Sequence, residues 1–154
     1  MSAIVGFNDL KVGQRVKVKG KSGEDGKFTA LEVNIKPSED GAALEGKVQG
    51  VDTQKNTIRL LFRDIAMQNG VVIKNIQRND IGLKDLKADD VIKVKGAYSA
   101  AKGFVPEKIK MQEARGFNIE EMQGQIDSVD QAGKMIEVLG VAVQISEKTE
   151  IEGI

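Results

Sequence analysis

The sequence predicts an all-β protein built as two small antiparallel barrels with little helix. The stretch Val16–Gly20, in which valine alternates with lysine, returns 76 positions later as Ile92–Gly96. A second stretch, Leu44–Asp52, returns 78 positions later as Met122–Asp130. Alternation with a period of two marks half-buried strands, and about ten short strands separated by turn residues are typical of small β-barrels. An internal repeat with two hairpins in each unit accounts for both duplications.

The first hairpin begins after a turn at 7–13, where asparagine, aspartate and glycine supply turn chemistry. Its outgoing strand runs from Gln14 to Gly20, and two glycines and an acidic pair form its loop at 22–26. The return strand is predicted over Lys27–Lys36. The alternation slips near Leu31 and Glu32, which predicts a β-bulge there.

The second hairpin and the repeated copies follow in order. Strands at 44–52 and 57–63 enclose a turn at 53–56, a short strand follows at 70–74, and a longer turn occupies 79–87. The same pattern then predicts strands at 91–96, 104–112, 122–130, 134–139 and 141–145. Phe28, Phe62 and Phe104 occupy apolar strand positions, so we expect them in the core.

Composition excludes several classes of site. The chain has no Cys and no His, which rules out Cys/His zinc sites, thiolate chemistry and Ser–His–Asp triads. Lys plus Arg and Asp plus Glu both total 23, and this neutral balance counts against a large phosphate-gripping surface. No apolar run reaches the roughly 20 residues of a membrane span, and no signal peptide is visible at the N-terminus.

The repeat allows two domain groupings. In the first, residues 44–112 form an intact central barrel, and 1–37 together with 117–154 form a second barrel that is closed where the two termini pair. In the other grouping, 1–77 and 78–154 are sequential units. We favour the first, because it leaves no unpaired strand edge at either end of the chain. Pairing within one chain predicts a monomer, and pairing between chains predicts an end-swapped dimer.

Two stretches resemble a bacterial domain of unknown function that recurs in tandem in exported proteins and lipoproteins. Met122–Asp130, followed by Met135–Gly140 and Thr149, resembles the start of that domain. Leu10–Gly20, followed by Gly26, Lys27 and Ala30–Val33, resembles its second half. The family looks like OB-type barrels, so the resemblance implies two OB-like barrels and an exported location at the periplasm or cell surface. It supplies no activity.

Lysine-rich strands are the main candidate for a ligand-binding site. Lys17, Lys19, Lys93 and Lys95 could line a groove for nucleic acid or an anionic glycan, together with Tyr98, which we expect to be exposed, and Lys102. The alternative is an ordinary solvated strand face or an edge protected by lysines, which the neutral charge favours. Nucleic acid is not favoured, because single-strand binding needs aromatic stacking platforms and the chain has five Phe and one Tyr.

Acidic groups offer weaker candidates. The loops at 23–26 and 38–41 and the pair Asp89 and Asp90 could bind Ca²⁺, but turn chemistry explains them without a metal ion. Glu120 and Glu121 could serve in acid–base chemistry only if burial shifted a pKa, and the sequence gives no sign of burial. We therefore expect no metal site, no cofactor and no enzymatic activity.

The sequence leaves two functional hypotheses. The first is a non-enzymatic binding or assembly module of the bacterial envelope, with an unknown protein or glycan partner. The second is an oligonucleotide- or oligosaccharide-binding protein that uses the lysine strands. Clustering of the lysines on one concave face would favour the second.

Overall fold

The structure is a computed structural model that describes residues 6–23, 25–37, 41–67, 70–99, 101–113 and 120–153. Within these ranges the regular structure is almost entirely β, so the predicted fold class is confirmed. The strands are β1 Arg15–Ser22, β2 Lys27–Lys36, β3 Ala42–Lys47, β4 Gly50–Asp52, β5 Thr57–Leu60, β6 Arg63–Ala66, β7 Val72–Lys74, β8 Asp80–Ile81, β9 Val91–Ser99, β10 Gly103–Gln112, β11 Glu120–Asp130, β12 Met135–Val138, β13 Val141–Gln144 and β14 Glu150–Glu152. Short 3-10 turns cover Phe7–Asp9 and Leu83–Asp85.

Five strands form a closed barrel. Their order is β1, β2, β13, β12 and β11, and β11 pairs back with β1. The ladder between β13 and β2 is parallel, and the other four ladders are antiparallel. The apolar residues of these strands point inward, and Val16, Val18, Phe28, Val33, Met122, Ile126, Ile136, Val138 and Val143 are at most 2% exposed.

The remaining strands extend this barrel into a larger sheet. Strand β11 pairs with β3, which pairs in turn with β9, and β10, β7 and β8 follow. Strands β4, β5 and β6 form a separate three-stranded sheet. The inward residues of β3, β5, β9 and β10 belong to the same hydrophobic core as the closed barrel: Leu44, Ile58, Leu60, Ile92, Val94 and Ile109.

The repeated sequence adopts repeated local structure. The 3-10 turns at Phe7–Asp9 and Leu83–Asp85 both deliver a fully buried leucine, Leu10 or Leu86, just before a hairpin. Strand β7 pairs in parallel with β10 at Val72 and Lys108, and β14 pairs in parallel with β2 at the equivalent positions. The two hairpins β1–β2 and β9–β10 are therefore extended by a short parallel strand in the same place.

A β-bulge lies in each of these hairpins. Between β1 and β2 the register skips Leu31, as the slipped alternation predicted. A glycine faces each bulge, because a Cβ on Gly20 would lie 2.0 Å from the carbonyl oxygen of Thr29, and one on Gly96 would lie 2.1 Å from that of Val105. Close approach of two backbones thus explains the glycine that ends both copies of the lysine stretch.

The predicted single strand at 57–63 is wrong. It ends at Leu60, and Leu61 and Phe62 form a two-residue turn in which both have positive φ, 55° and 57°. Phe62 is consequently a partly buried turn residue, whereas Phe28 is fully buried and Phe104 partly buried. The predicted strand 44–52 is also interrupted, between β3 and β4.

Candidate functional site

The four predicted strand lysines lie on one face of the large sheet. Residues that face each other across a ladder point to the same side of a sheet. The ladders β1–β11, β11–β3 and β3–β9 connect the lysines of β1 and β9 through two continuous rows. The rows are Lys17, Gln123, Ala43 and Lys95, and Lys19, Glu121, Glu45 and Lys93.

Acidic residues separate the lysines of β1 from those of β9. Glu121 and Glu45 face each other at the centre of the second row and are only 8% and 6% exposed. The Nζ of Lys17 lies 3.5 Å from Oε1 of Glu121. Burial of Glu121 was not expected from the sequence; the residue lies between β1 and β3, opposite Lys19 and Glu45. Its neighbour Glu120 accepts hydrogen bonds from the backbone N–H and the hydroxyl of Ser22, both at 2.6 Å. Glu121, which pairs with Lys17 and faces Lys19 across the ladder, therefore offsets the positive charge of the β1 lysines.

On β9 and β10 positive charges face one another. Lys93 pairs with Lys110 and Lys95 pairs with Lys108 across the hairpin. The positive charges of Lys108, Lys95 and Arg78, in that order, lower the pKa of Lys110 from its ordinary value of 10.5. Like charges directly opposite each other destabilise a sheet, and this repulsion is relieved when an anion binds. We call the set Lys93, Lys95, Lys108, Lys110 and Arg78 the basic face.

Sequence reasoning missed three of these five residues. Lys108 and Lys110 alternate along the predicted return strand, as Lys93 and Lys95 do along the outgoing one. Pairing the two predicted strands through their loop places these lysines opposite each other only if the bulge predicted near Leu31 is carried by the repeat to Glu107; without a bulge Lys95 would face Glu107. Arg78 carries no such signal, because it lies in the turn between β7 and β8 and is connected to the lysines through the effect of its charge on Lys110.

Tyr98 and Lys102 do not join the basic face. Tyr98 follows Lys95 by three residues on β9, so it points to the opposite side of the sheet. It is half-buried rather than exposed, and a Cβ placed on Gly140 would lie 3.1 Å from its hydroxyl. Lys102 is exposed in the β9–β10 turn, where its backbone N–H donates to Oγ of Ser99 at 3.1 Å. The basic face therefore contains two of the six predicted site residues, Lys93 and Lys95, whereas Lys17 and Lys19 lie on the same side of the sheet but beyond β3 and β11.

A polar groove adjoins the basic face. Its floor is the start of β3, where Gly41, Ala42 and Ala43 provide no long side chain. The flanking strands carry long side chains. A groove of about 310 Å³ therefore remains between Arg15 and Gln123 on one side and Lys93, Lys95 and Glu107 on the other. Nη1 of the buried Arg15 donates to the carbonyl oxygen of Gly41 at 2.7 Å, which fixes the guanidinium at one end of the groove.

A second cavity, of about 210 Å³, lies between β6 and β10. Its lining is mainly apolar and includes Leu60, Ile65, Phe104 and the ring of Tyr98. Burial, followed by the negative charges of Asp127 and Glu137, raises the pKa of Tyr98 above its ordinary value of 10.0. This cavity is on the other side of the β9–β10 hairpin from the lysines.

The described parts of the acidic loops are engaged in turns. Oδ1 of Asp25 accepts from the backbone N–H of Lys27, and Oδ2 of Asp90 accepts from that of Lys87. Glu24 and residues 38–40 lie outside the described residues. Over the part of the chain that the structure describes, no group of three or more acidic side chains could hold a metal ion, and no helix is long and apolar enough to cross a membrane.

One family model matches the chain. A domain of unknown function (DUF5666) matches residues 2–34 and 123–154, which together make up less than half of the sequence. No curated protein and no solved structure matches it. The two matched segments contain all of β1, β12, β13 and β14 and most of β2 and β11, which include all the strands of the closed barrel. The chain is thus similar to this domain of unknown function in the segments that build its closed barrel.

Proposed function

We propose that the protein is a non-enzymatic binding module that recognises a linear polyanion through the basic face. The observation that carries this proposal is the cross-strand pairing of Lys93 with Lys110 and of Lys95 with Lys108. Four lysines on two adjacent strands, about 4.8 Å apart, bring together positive charges that repel each other in the free protein. Of these lysines, Lys93 also faces Glu45 across the β3–β9 ladder, whereas the described ladder partners of Lys95, Lys108 and Lys110 are not acidic.

The experiment compares two variants with the same change in charge. In the first, Lys93, Lys95, Lys108 and Lys110 are all replaced by Gln. In the control, the exposed turn residues Lys55, Lys102, Lys134 and Lys148 are replaced by Gln. Binding of fluorescent dextran sulfate is followed by anisotropy at 50 and 200 mM salt.

We expect the first variant to lose affinity by at least about tenfold, because several charge contacts disappear together. The control should bind as the wild type does. Wild-type binding should weaken as salt rises, because the polyanion releases counterions when it binds. Equal losses in both variants would mean that net charge alone drives binding, and this would overturn the proposal, as would absence of binding by the wild type.

The architecture supports a further proposal, that both halves of the molecule are OB-like barrels from an internal repeat. The closed barrel has five strands, as OB-type barrels do. The other half carries the same 3-10 turn and the same bulge glycine in the same order. A bacterial source and an exported location are proposed on the family resemblance alone, and cell fractionation of the source organism tests the location.

Assembly is a second candidate function, favoured by how the closed barrel is made. The N-terminal strands β1 and β2 meet C-terminal strands through the ladders β1–β11, β2–β13 and β2–β14. The same ladders can form between two chains, which would swap the ends of the molecule. The solution mass distinguishes the two arrangements.

A further inference from the structure

The groove beside the basic face has a mixed set of polar groups that a simple polyanion does not require. Cationic groups come from Arg15, Lys93 and Lys95, whereas Glu107 adds a negative charge and Gln123 adds an amide. A bare sulfate or phosphate gains from the cations but is repelled by the carboxylate of Glu107. A ligand that carries both a carboxylate and hydroxyl groups can use all of these residues.

From this set we infer that the groove seats one acidic sugar unit of a uronic-acid polysaccharide. The inference rests on the proposed function and names its ligand class. The sugar carboxylate faces Lys93 and Lys95, and ring hydroxyls donate to Glu107 and exchange hydrogen bonds with Gln123. The polymer then continues across β9 and β10, where the remaining cations of the basic face meet the carboxylates of the following units.

The composition of this surface distinguishes a glycan from single-stranded nucleic acid. Nucleic-acid grooves of this type combine cations with aromatic rings on which bases stack. The described aromatic residues of β9 and β10 are Tyr98 and Phe104, which pair with each other across the hairpin on the face opposite the lysines. The described part of the hairpin therefore supplies charge to its outer face and no stacking platform.

The floor of the groove explains how a bulky sugar ring fits onto a sheet. Ala43 lies between Gln123 and Lys95 in its row, and both neighbours have long side chains. A larger residue in place of alanine would fill the gap between them. The positive φ of Gly41, 96°, turns the chain into β3, and the carbonyl oxygen of Gly41 fixes Arg15.

The decisive variant is Glu107→Gln, because the two ligand classes predict opposite signs. Glu107 is exposed in the bulge of β10, so we expect the variant to fold. Removing a negative charge strengthens the binding of any polyanion that senses charge alone. If Glu107 accepts hydrogen bonds from sugar hydroxyls, Glu107→Gln replaces two charged acceptor oxygens by one neutral acceptor, and this weakens the binding of a uronic-acid oligosaccharide by about tenfold.

The measurement uses the full chain and three labelled probes: an oligogalacturonate, dextran sulfate and an oligothymidylate. We expect Glu107→Gln to weaken oligogalacturonate binding while it leaves dextran sulfate binding unchanged or tighter. Ala43→Leu, which fills the groove, should also selectively weaken oligogalacturonate binding, and Lys95→Gln should weaken the binding of both. Circular dichroism checks that each variant is folded.

Failure of this inference can be told apart from failure of the proposed function. Tighter binding of all probes by Glu107→Gln, or binding of oligothymidylate in preference to oligogalacturonate, overturns the uronic-acid site and leaves the polyanion-binding face intact. If dextran sulfate fails to bind the wild type, the proposed function itself is wrong. Equal effects of Ala43→Leu on all probes would also overturn the site, because the groove would not then distinguish sugars from other anions.

Discussion

The hydroxyl of Tyr98 lies in a setting that disfavours its ionisation. Partial burial is the largest cause, and the carboxylates of Asp127 and Glu137 add negative charge, while Arg63 acts in the opposite direction. Asp127 has a raised pKa of its own, from burial and from the charge of Glu137. The sequence contains one tyrosine and no tryptophan, so the ionisation of this single group can be followed directly.

We predict that the tyrosinate absorbance of the folded protein rises with a midpoint above 10.0, the ordinary pKa of tyrosine. Asp127→Asn should lower the midpoint without restoring the ordinary value, because burial remains. Tyr98 ionises at a lower pH in the unfolded chain than in the folded protein. The free energy of unfolding should therefore fall as the pH rises above about 10. Glu147→Gln, in an exposed turn, is the control and should not move the midpoint. A wild-type midpoint at the ordinary pKa would contradict the half-buried position.

Gly96 shows how a single residue fixes the path of a strand, and Gly50 serves as the comparison. A Cβ on Gly96 would meet the backbone of Val105 and Pro106, at 2.1 Å from the carbonyl oxygen of Val105. Backbone cannot move aside as the end of a flexible side chain can. Gly50 provides the contrast, because no atom lies within 4 Å of its Cβ position.

Gly96→Ala should therefore destabilise the protein by at least about 2 kcal/mol, at the upper end of the usual cost of overpacking. Gly50→Ala should change the free energy of unfolding by no more than about 1 kcal/mol. Urea titration followed by circular dichroism measures both. A similar small effect of the two substitutions would show that the backbones of β9 and β10 are farther apart at the bulge than the structure indicates.

At the scale of elements, the two halves differ at the ladder that closes the barrel. Strand β13 pairs with β2, with Val143 opposite Phe28, and this ladder closes the barrel. The equivalent strands β6 and β10 have Cα atoms within 8 Å of each other, but β6 belongs to a different sheet and forms no ladder with β10. We call the junctions between β13 and β2 and between β6 and β10 the two seams. The 210 Å³ cavity lies in the β6–β10 seam. Phe104 is only partly buried there, whereas its counterpart Phe28 is fully buried.

We predict that hydrogen exchange distinguishes the two seams. Amides of β6 and of the start of β10 should exchange faster than those of β13 and of the start of β2, because an unpaired strand edge opens more readily to water. Strands β5 and β12 have a paired neighbour on both sides, so they serve as internal controls with similar protection. Equal protection across both seams would mean that β6 and β10 pair in solution.

The hairpins could be predicted from sequence, but the missing ladder in the β6–β10 seam could not. Alternation predicted β2 with the bounds observed, and the loss of phase located its bulge at Leu31. The seam depends on the β5–β6 turn, where Leu61 and Phe62 adopt a positive φ that bulky residues rarely take. A turn of that kind is expected to contain asparagine or glycine, so a continuous strand was predicted instead.

The candidate site could also be predicted only in part, because local patterns indicate hairpins but not contacts between distant strands. Lys93 and Lys95 stand out in the repeated stretch, and hairpin pairing leads from them to Lys110 and Lys108 once the bulge at Leu31 is transferred through the repeat to Glu107. The groove depends on contacts between strands that are distant in sequence, since Gln123 and Lys95 meet only across β3. Nothing in the local pattern of β11 indicates that β3 is its neighbour.

At the scale of the whole molecule, β3 joins the two halves. It pairs with β11 on one side through Ala43–Glu45 and with β9 on the other side. Removing the C-terminal strands would therefore expose the edge of β3. The division into 44–112 and a barrel of 1–37 with 117–154 stays a prediction, as does the pairing of the ends within one chain.

Light scattering of the full chain and of residues 44–112 tests both predictions together. We expect the full chain to have the mass of one 16.7 kDa protomer, because the ladders between β1 and β11 and between β2 and β13 are satisfied within it. Twice that mass would mean that the ends pair between chains, and assembly would become the leading function. We expect 44–112 to unfold cooperatively in urea, at lower stability than the full chain because the edge of β3 is exposed. If the fragment 44–112 does not unfold cooperatively, the grouping into sequential units 1–77 and 78–154 should replace the grouping around 44–112. The hairpin β9–β10 would then depend on β11 for its folding.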